Sequence, residues 1–462
     1  MTTPEGLERA IVNLGALGEF RNGVNFSRAK KGKGVRLINV KDIFTDSPMI
    51  DFESLDRVDL SDLTAIESYF VKRGDIFFVR SSVKRDGIGQ VSMAGRDDEE
   101  TVHCGFIIRY RLTSPKTDPL FLTYMLRSPP LRRQIVAISG GSAITNLTQA
   151  SLTSLQVSLP STETQRKVAC ILSMYDDLVA NNRCRIQILE EMVRAIYREW
   201  FVHFRFPGHE EVEMAGSEIG EIPEGWSFLT LGEVLSTLES GSRPKGGIDS
   251  HERGVQSIGA ENILGLGQYD YSKEKYVSRV FYDKMSRGRI RSGDVLLYKD
   301  GASLGRKSMF RDGFPHEQCC INEHVFILRS NDYVSQNYLY FWLDRPDMTQ
   351  RIVNLNANAA QPGINQSSIR GLPILVPQPS LISKFEDMVD PMIALLFNLA
   401  KQIKSLSEAR DLLLSKLVSG EIDVSHLDIE ATLPNTQQTS KYKEQSTLDQ
   451  WTDGDDQDAD IG

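Results

Sequence analysis

The chain repeats itself, and an internal duplication restricts the fold to two copies of one module rather than a single large core. Leu17-Gly18-Glu19 is echoed by Leu231-Gly232-Glu233, and VRLINVKDI from Val35 to Ile43 by VQSIGAENI from Val255 to Ile263. Arg73-Gly74-Asp75-Ile76 returns as Ser292-Gly293-Asp294-Val295, each leading into an apolar run, and GFIIRY from Gly105 returns as EHVFIL from Glu323. Both copies continue with an aromatic-rich helix candidate (PLFLTYMLRS from Pro119, NYLYFWLDR from Asn337), a Gly/Ala/Asn-rich loop, and a short strand closing on Pro160 or Pro377. The offset between copies stays between 214 and 220 residues, so insertions are small and belong in loops. Within each copy, short Val, Ile, Phe and Leu runs separated by Gly/Asp turns predict strands mixed with helices.

After each closing proline the pattern changes to a heptad. Spacings of four and three connect Val168, Leu172, Tyr175, Val179, Asn182, Ile186, Leu189, Val193, Ile196 and Trp200. The same register recurs 217 residues later at Phe385, Val389, Met392, Leu396, Leu399, Ile403, Leu406, Arg410, Leu413 and Leu417, with one polar exception per copy. This is a coiled-coil signal. At about 1.5 Å per residue the first helix would run roughly 50 Å, longer than one turn of B-DNA. Neither stripe is stable exposed, so the helices pair with each other or with a partner. Equal helices that each follow a module favour an antiparallel pair related by a pseudo-two-fold. Asn182 then faces the seam and limits register slips, or else reaches a solvated edge.

Composition excludes several classes. With 40% hydrophobic and 25% charged residues in 462, the chain is globular. It has no apolar stretch of transmembrane length and no signal-like start, so a cytoplasmic location is expected. The five cysteines, Cys104, Cys170, Cys184, Cys319 and Cys320, lack metal-ligand or disulfide spacing, and no metal site is expected. The net charge of −9 resides in the segment from Glu421 to Gly462, with eleven acidic residues against two lysines. That tail predicts disorder, as a solubilising terminus, a spacer, or a deterrent to non-specific DNA binding. The rest is close to neutral, which leaves room for local basic clusters that meet phosphates.

Catalytic motifs are missing. Gly301 to Ser308 is one residue short of a phosphate-binding GxxxxGK[ST], with Arg306 intruding before Lys307. There is no GxSxG, HExxH, kinase set or adenine-methylase tetrapeptide of the NPPY type, and the seven histidines are dispersed. No catalytic residue and no cofactor is expected.

Taken in this order, the motifs resemble those of the specificity subunits of type I restriction-modification enzymes. The resemblance covers about residues 13 to 425, including LLLSKLVSGEIDV from Leu412 to Val424, which is similar to the family's usual end to its second conserved region. It implies an α+β fold: two similar mixed α/β target-recognition domains separated by two long helices that form an antiparallel coiled coil. The expected boundaries are 1–160 and 206–377 for the recognition domains, 161–205 and 378–425 for the spacer helices, and 426–462 for the tail. It also implies reading of a bipartite, asymmetric double-stranded DNA site, one part per module. Two modification subunits that methylate adenine from S-adenosylmethionine would dock, and an ATP-driven translocating nuclease subunit would join the larger complex.

Basic residues in polar, Gly-rich loops are the DNA-contact candidates. They are Arg28, Lys30, Lys31, Lys33, Arg36, Arg80, Lys84 and Arg85 in the first copy, and Arg243, Lys245, Lys299, Arg306, Lys307 and Arg311 in the second. Arginine bridges guanine O6 and N7, whereas a flexible lysine more often meets phosphate. Gln90, Gln256, Asn262 and Gln318 have the groups to read adenine edges, or are ordinary polar residues. The loops Gly140 to Asn146 and Asn354 to Asn365 either approach the duplex with backbone donors or simply pack tightly. On the helices, Arg183, Arg185, Arg194, Arg198, Lys401, Lys404 and Arg410 suit either DNA backbone, partner subunits or solvent. Tyr197, Trp200 and Phe201 point to packing against a module or partner. Competing classes are a protein-binding scaffold and an enzyme with an unfamiliar buried site.

Overall fold

The computed structural model describes residues 9–63, 65–83, 87–98, 100–140, 145–217, 220–244, 254–356 and 363–428. Lys84, Arg85, Lys245, the centres of both Gly/Asn-rich loops and the acidic tail past Asp428 lie outside the described residues, as does the Arg28 side chain. The chain divides into two compact units, Met1–Asp177 with Ser407–Gly462, and Leu178–Leu406.

Each unit holds a four-stranded antiparallel sheet and a three-stranded mixed sheet with the same internal order. In the first unit the larger sheet runs Gly18–Asn22, Ile107–Leu112, Ile76–Val79, Val91–Met93, and the smaller runs Asp56–Val58, Lys31–Ile38, Thr101–His103. In the second the corresponding strands are Leu235–Ser240, Val325–Ser330, Asp294–Tyr298, Lys307–Phe310, and Tyr276–Val277, Val255–Ile258, Cys319–Ile321. In both small sheets the central strand pairs antiparallel on one side and parallel on the other. In each unit one helix packs on the larger sheet and a second helix packs against the first, Pro119–Arg127 and Pro129–Ile138, or Gln336–Asp344 and Pro346–Asn354. Asp118 and Ser335 cap the first of each pair by accepting from Phe121 and Tyr338 backbone N–H groups. Pro129 and Pro346 open the second helix, where a missing N–H costs nothing.

The repeated Gly-Asp motif has a specific physical role. Gly74 and Gly293 sit at φ +84° and +86°, the left-handed region that glycine tolerates. The aspartate that follows turns its carboxylate inward. Asp75 accepts from the Lys72 backbone N–H at 2.7 Å and from Arg111 Nε and Nη2, both at 2.6 Å. Asp294 accepts from Arg291 N–H at 2.7 Å and from Arg329 Nε and Nη2 at 2.6 and 2.7 Å. Each arginine also donates from Nη2 to a backbone carbonyl, Phe70 or Arg289. One buried fork thus ties two neighbouring strands of the larger sheet in each unit.

Backbone bonding corrects one sequence match. Leu14 N–H donates to Leu155 O, as Leu231 N–H donates to Leu372 O. The partner of Leu231-Gly232-Glu233 is therefore Leu14-Gly15-Ala16, and Leu17-Gly18-Glu19 is a chance echo three residues out of register. Space at the glycines agrees: a Cβ on Gly15 would strike Thr153, and one on Gly232 would press Arg370, in the short closing helices Gln149–Thr153 and Gln366–Arg370.

The long helices are Thr162–Phe201 and Pro379–Ser419. Numbering rises along one as it falls along the other. In the second unit Asn182 Nδ2 donates to Gln402 Oε1 at 3.3 Å, and the Trp200 and Phe385 rings lie 6.2 Å apart. In the first unit Arg410 donates to Asp176 Oδ1 at 2.5 Å, and Val168 and Leu172 share a core with Leu414 and Leu417. The pairing is antiparallel in each. All heptad positions, Asn182 and Arg410 included, are buried or half-buried. Arg410 is accommodated because Asp176, itself bonded by the Tyr124 hydroxyl, neutralises it. Tyr197, Trp200 and Phe201 are buried among Phe385, Tyr338 and Trp226 in the second unit. Full burial of such aromatics stabilises by about 1.5–3 kcal/mol each.

Asp294→Asn removes the charge that compensates Arg329 without changing side-chain size. It should destabilise the second unit by about 3 kcal/mol, the order expected for breaking a buried ion pair, read as a lowered urea midpoint at unchanged m-value.

Candidate nucleic-acid interface

At one end of each larger sheet the same backbone bonds set up the same frame. In the first unit Val79 N–H donates to Gln90 O, Gly89 N–H to Val79 O, Arg80 N–H to Phe106 O, and Leu147 N–H to Arg80 O. In the second, Tyr298 N–H donates to Arg306 O, Gly305 N–H to Tyr298 O, Lys299 N–H to His324 O, and Ile364 N–H to Lys299 O. Arg80 therefore corresponds to Lys299, Gln90 to Arg306 and Phe106 to His324. Gly89 and Gly305, at φ +61° and +87°, allow the tight return of each loop. The Gly/Asn-rich loops reach this same end. Gly140 and Asn146 exchange backbone bonds, with Ser81 donating to Asn146, and Asn356 accepts from Gly363 N–H.

Side chains at this end differ between units. Arg80 is half-buried, with Nη1 3.3 Å from Gly105 O. Lys299 lies 5.0 Å from the Phe326 ring, and Arg306 is exposed. Arg243 pairs with Glu323 at 2.9 Å. His324 Nδ1 lies 2.7 Å from Asp300 and its Nε2 3.3 Å from Glu323.

Two of the sequence candidates are corrected. Lys307 is only 6% exposed. It begins a strand and turns inward, its ammonium 2.6 Å from Thr349 Oγ1 and 3.7 Å from Asp344. Burial pushes its pKa down, with Asp344 opposing. Arg311 is held by Asp390 at 2.6 Å and Asp312 at 3.0 Å, and the Asp390 hydrogen bond raises its pKa. Neither offers a free cation at the surface. The loop-to-strand boundary, invisible in RKS, decides between the exposed Arg306 and the buried Lys307.

Near the small sheet of the first unit, Lys31 and Lys33 are exposed. Gly32 and Gly34, at φ +107° and +88°, break the strand register between Lys31 and Val35 and throw both lysines outward. Lys30 is paired with Asp62, and Arg36 with Asp98 at 3.1 Å. In the second unit Gln256, Gln318 and Arg279 line an open cleft of about 410 Å³, with Arg279 donating to Gln318 Oε1. Parallel pairing of Gln256 with Cys319 brings the two glutamines together. Arg279 was not marked by the sequence; it follows a helix-capping serine, Ser278, with no loop signature. Asn262 is buried and its side chain accepts from Gly259 N–H, which makes it structural.

On the helices, Arg194 bridges Glu190 and Asp344, Lys401 donates to the Asp312 carbonyl, and Lys404 lies 4.8 Å from the Tyr271 ring. Arg183, Arg185 and Arg198 are exposed. Among the described residues no helix is long and apolar enough to cross a membrane.

A family model described as the type I restriction modification DNA specificity domain matches residues 12–191. The chain is 26% identical over 391 residues to the type I restriction enzyme MjaIX specificity subunit of Methanocaldococcus jannaschii, covering 79% of this chain and 86% of that protein. It is 22% identical to the type I restriction enzyme HindI specificity subunit of Haemophilus influenzae, with 84% and 94% covered. Among solved structures, the type I restriction-modification system S subunit from M. genitalium shares the fold, with a TM-score of 0.53 at 16% identity over 90% of this chain and 98% of that one.

Lys31→Ala and Lys33→Ala should each reduce the slope of log affinity against log salt for duplex DNA by about 1, the value of one lost phosphate contact. Lys307→Ala should leave that slope unchanged and lower the urea midpoint instead. Fluorescence titrations at four salt concentrations separate the two behaviours.

Proposed function

We propose that this chain is a specificity subunit of a type I restriction-modification system, which reads a bipartite double-stranded DNA site, one half per module, and performs no chemistry itself. The observation that carries the reading is a matched backbone frame bearing unmatched side chains. Arg80, Gln90 and Phe106 in the first unit stand where Lys299, Arg306 and His324 stand in the second. A frame that is kept while its surface groups change suits two readers of different sequences, because base edges are discriminated by donor, acceptor and methyl pattern. Residues 1–160 and 206–377 are assigned to recognition and 161–205 and 378–425 to the spacer helices, with the work done in the cytoplasm.

The first long helix also offers a place for a partner. Leu178, Ile188 and Met192 remain exposed at 52%, 46% and 46%, on one flank of the helix beside the buried seam positions. Apolar side chains left in water along one stripe of a helix fit docking of the adenine-methylating modification subunits, to which the translocating nuclease subunits would add. Those partners, and not this chain, would bring the S-adenosylmethionine and ATP chemistry.

Selection from a random duplex library at fixed salt, by the chain with and without its cognate modification subunits, tests the reading. Two short motifs at a constant gap are expected, and no enrichment even with the partners present would sink it. Met192→Glu should weaken capture of the modification subunit at least tenfold, measured by interferometry, while leaving the urea midpoint unchanged.

A further inference from the structure

We propose that Phe106 is a specificity-determining residue of the first module, making apolar contact with the C5-methyl group of a thymine in its half-site, and that His324 fills the same position in the second module without that preference. The inference rests on the DNA-reading function above and names the group that reads one base.

Phe106 is 63% exposed, although its neighbours Ile107 and Ile108 are fully buried. Its backbone is fixed on every side. Cys104 N–H donates to Ile38 O at 3.0 Å, Ile107 N–H to Cys104 O at 2.9 Å, and Arg80 N–H to Phe106 O at 2.8 Å. Gly105 packs so closely that a Cβ there would meet Asn25 Oδ1. The ring is thus presented to solvent from a rigid turn rather than from a swinging loop. The second unit repeats the turn bond for bond. Asn322 N–H donates to Ile258 O at 3.0 Å, Val325 N–H to Asn322 O at 3.4 Å, and Lys299 N–H to His324 O at 3.1 Å. There the outward group is an imidazole set between Asp300 and Glu323.

A phenyl ring has no donor or acceptor for the hydrogen-bonding edges of guanine, cytosine or adenine. In the major groove the one apolar feature of any base is the thymine methyl. Arg80 beside the turn supplies the cationic neighbour that a duplex requires. An exposed phenylalanine held rigidly beside an arginine has its chemical match in that methyl group.

The test uses the full chain with its cognate modification subunits. Library selection with the wild type first defines both half-sites; absence of any motif there would count against the DNA-reading function rather than against Phe106. Phe106→Ala is then expected to lose preference at one thymine-containing position of one half-site, with affinity for the selected duplex falling roughly tenfold, the size of one mismatched pair. Replacing that thymine by uracil, which lacks only the methyl, should cost the wild type a similar factor and the variant nothing further. The second half-site should be unaltered in Phe106→Ala, which also shows that the variant is folded, and should alone change in His324→Ala. An unchanged motif in Phe106→Ala, or independent effects of uracil and of the substitution, would overturn the proposal.

Discussion

Each unit depends on one buried carboxylate. Asp75 and Asp294 hold a left-handed glycine turn by one backbone bond and grip an arginine of the adjacent strand by two more. The charge-assisted, two-pronged geometry makes the contact directional as well as strong. It sets the register between the second and third strands of the larger sheet. The far ends of those strands carry Arg80 and Phe106, or Lys299 and His324. Whatever meets that end of the sheet is referred to a fixed point inside it.

Much of this is legible in the sequence. The Gly-Asp repeat marks the entry to an apolar strand in each module, though not the arginine that its aspartate grips. The heptad marked the seam, and Arg410, its polar exception, was legible as a position though its partner Asp176 was not. Periodicity reports which face a residue occupies, and says nothing about which distant carboxylate will meet it. The Leu-Gly-Glu match misled for a related reason. Three-residue identity is weak against the backbone bonds from Leu14 and Leu231 that define true equivalence.

The surroundings of the candidate interface residues are less legible in the sequence than the fold. Charge in a Gly-rich loop does not distinguish Lys31, thrown outward by a strand break, from Lys307, turned inward one residue into a strand. Ion pairing is equally hidden: Arg36, Arg243 and Arg311 have carboxylate partners 62, 80 and 79 positions away in the sequence. Nothing in the sequence marks Phe106, because an aromatic at the start of an apolar run looks like core. Only the turn geometry places it outside.

The first unit is discontinuous, Met1–Asp177 completed by Ser407–Gly462, and its core contains Leu414, Leu417, Val418 and Val424 beside Val168 and Leu172. Arg9 reaches the Val418 carbonyl and Lys167 that of Ser425. During synthesis this core must wait while all of Leu178–Leu406 leaves the ribosome, a delay of roughly ten to fifty seconds at ordinary elongation rates. The contiguous second unit has no such wait. The part of the protein made first is therefore finished last, and for that interval it exposes Val168 and Leu172 as the apolar surface on which chaperones, or aggregation, can act.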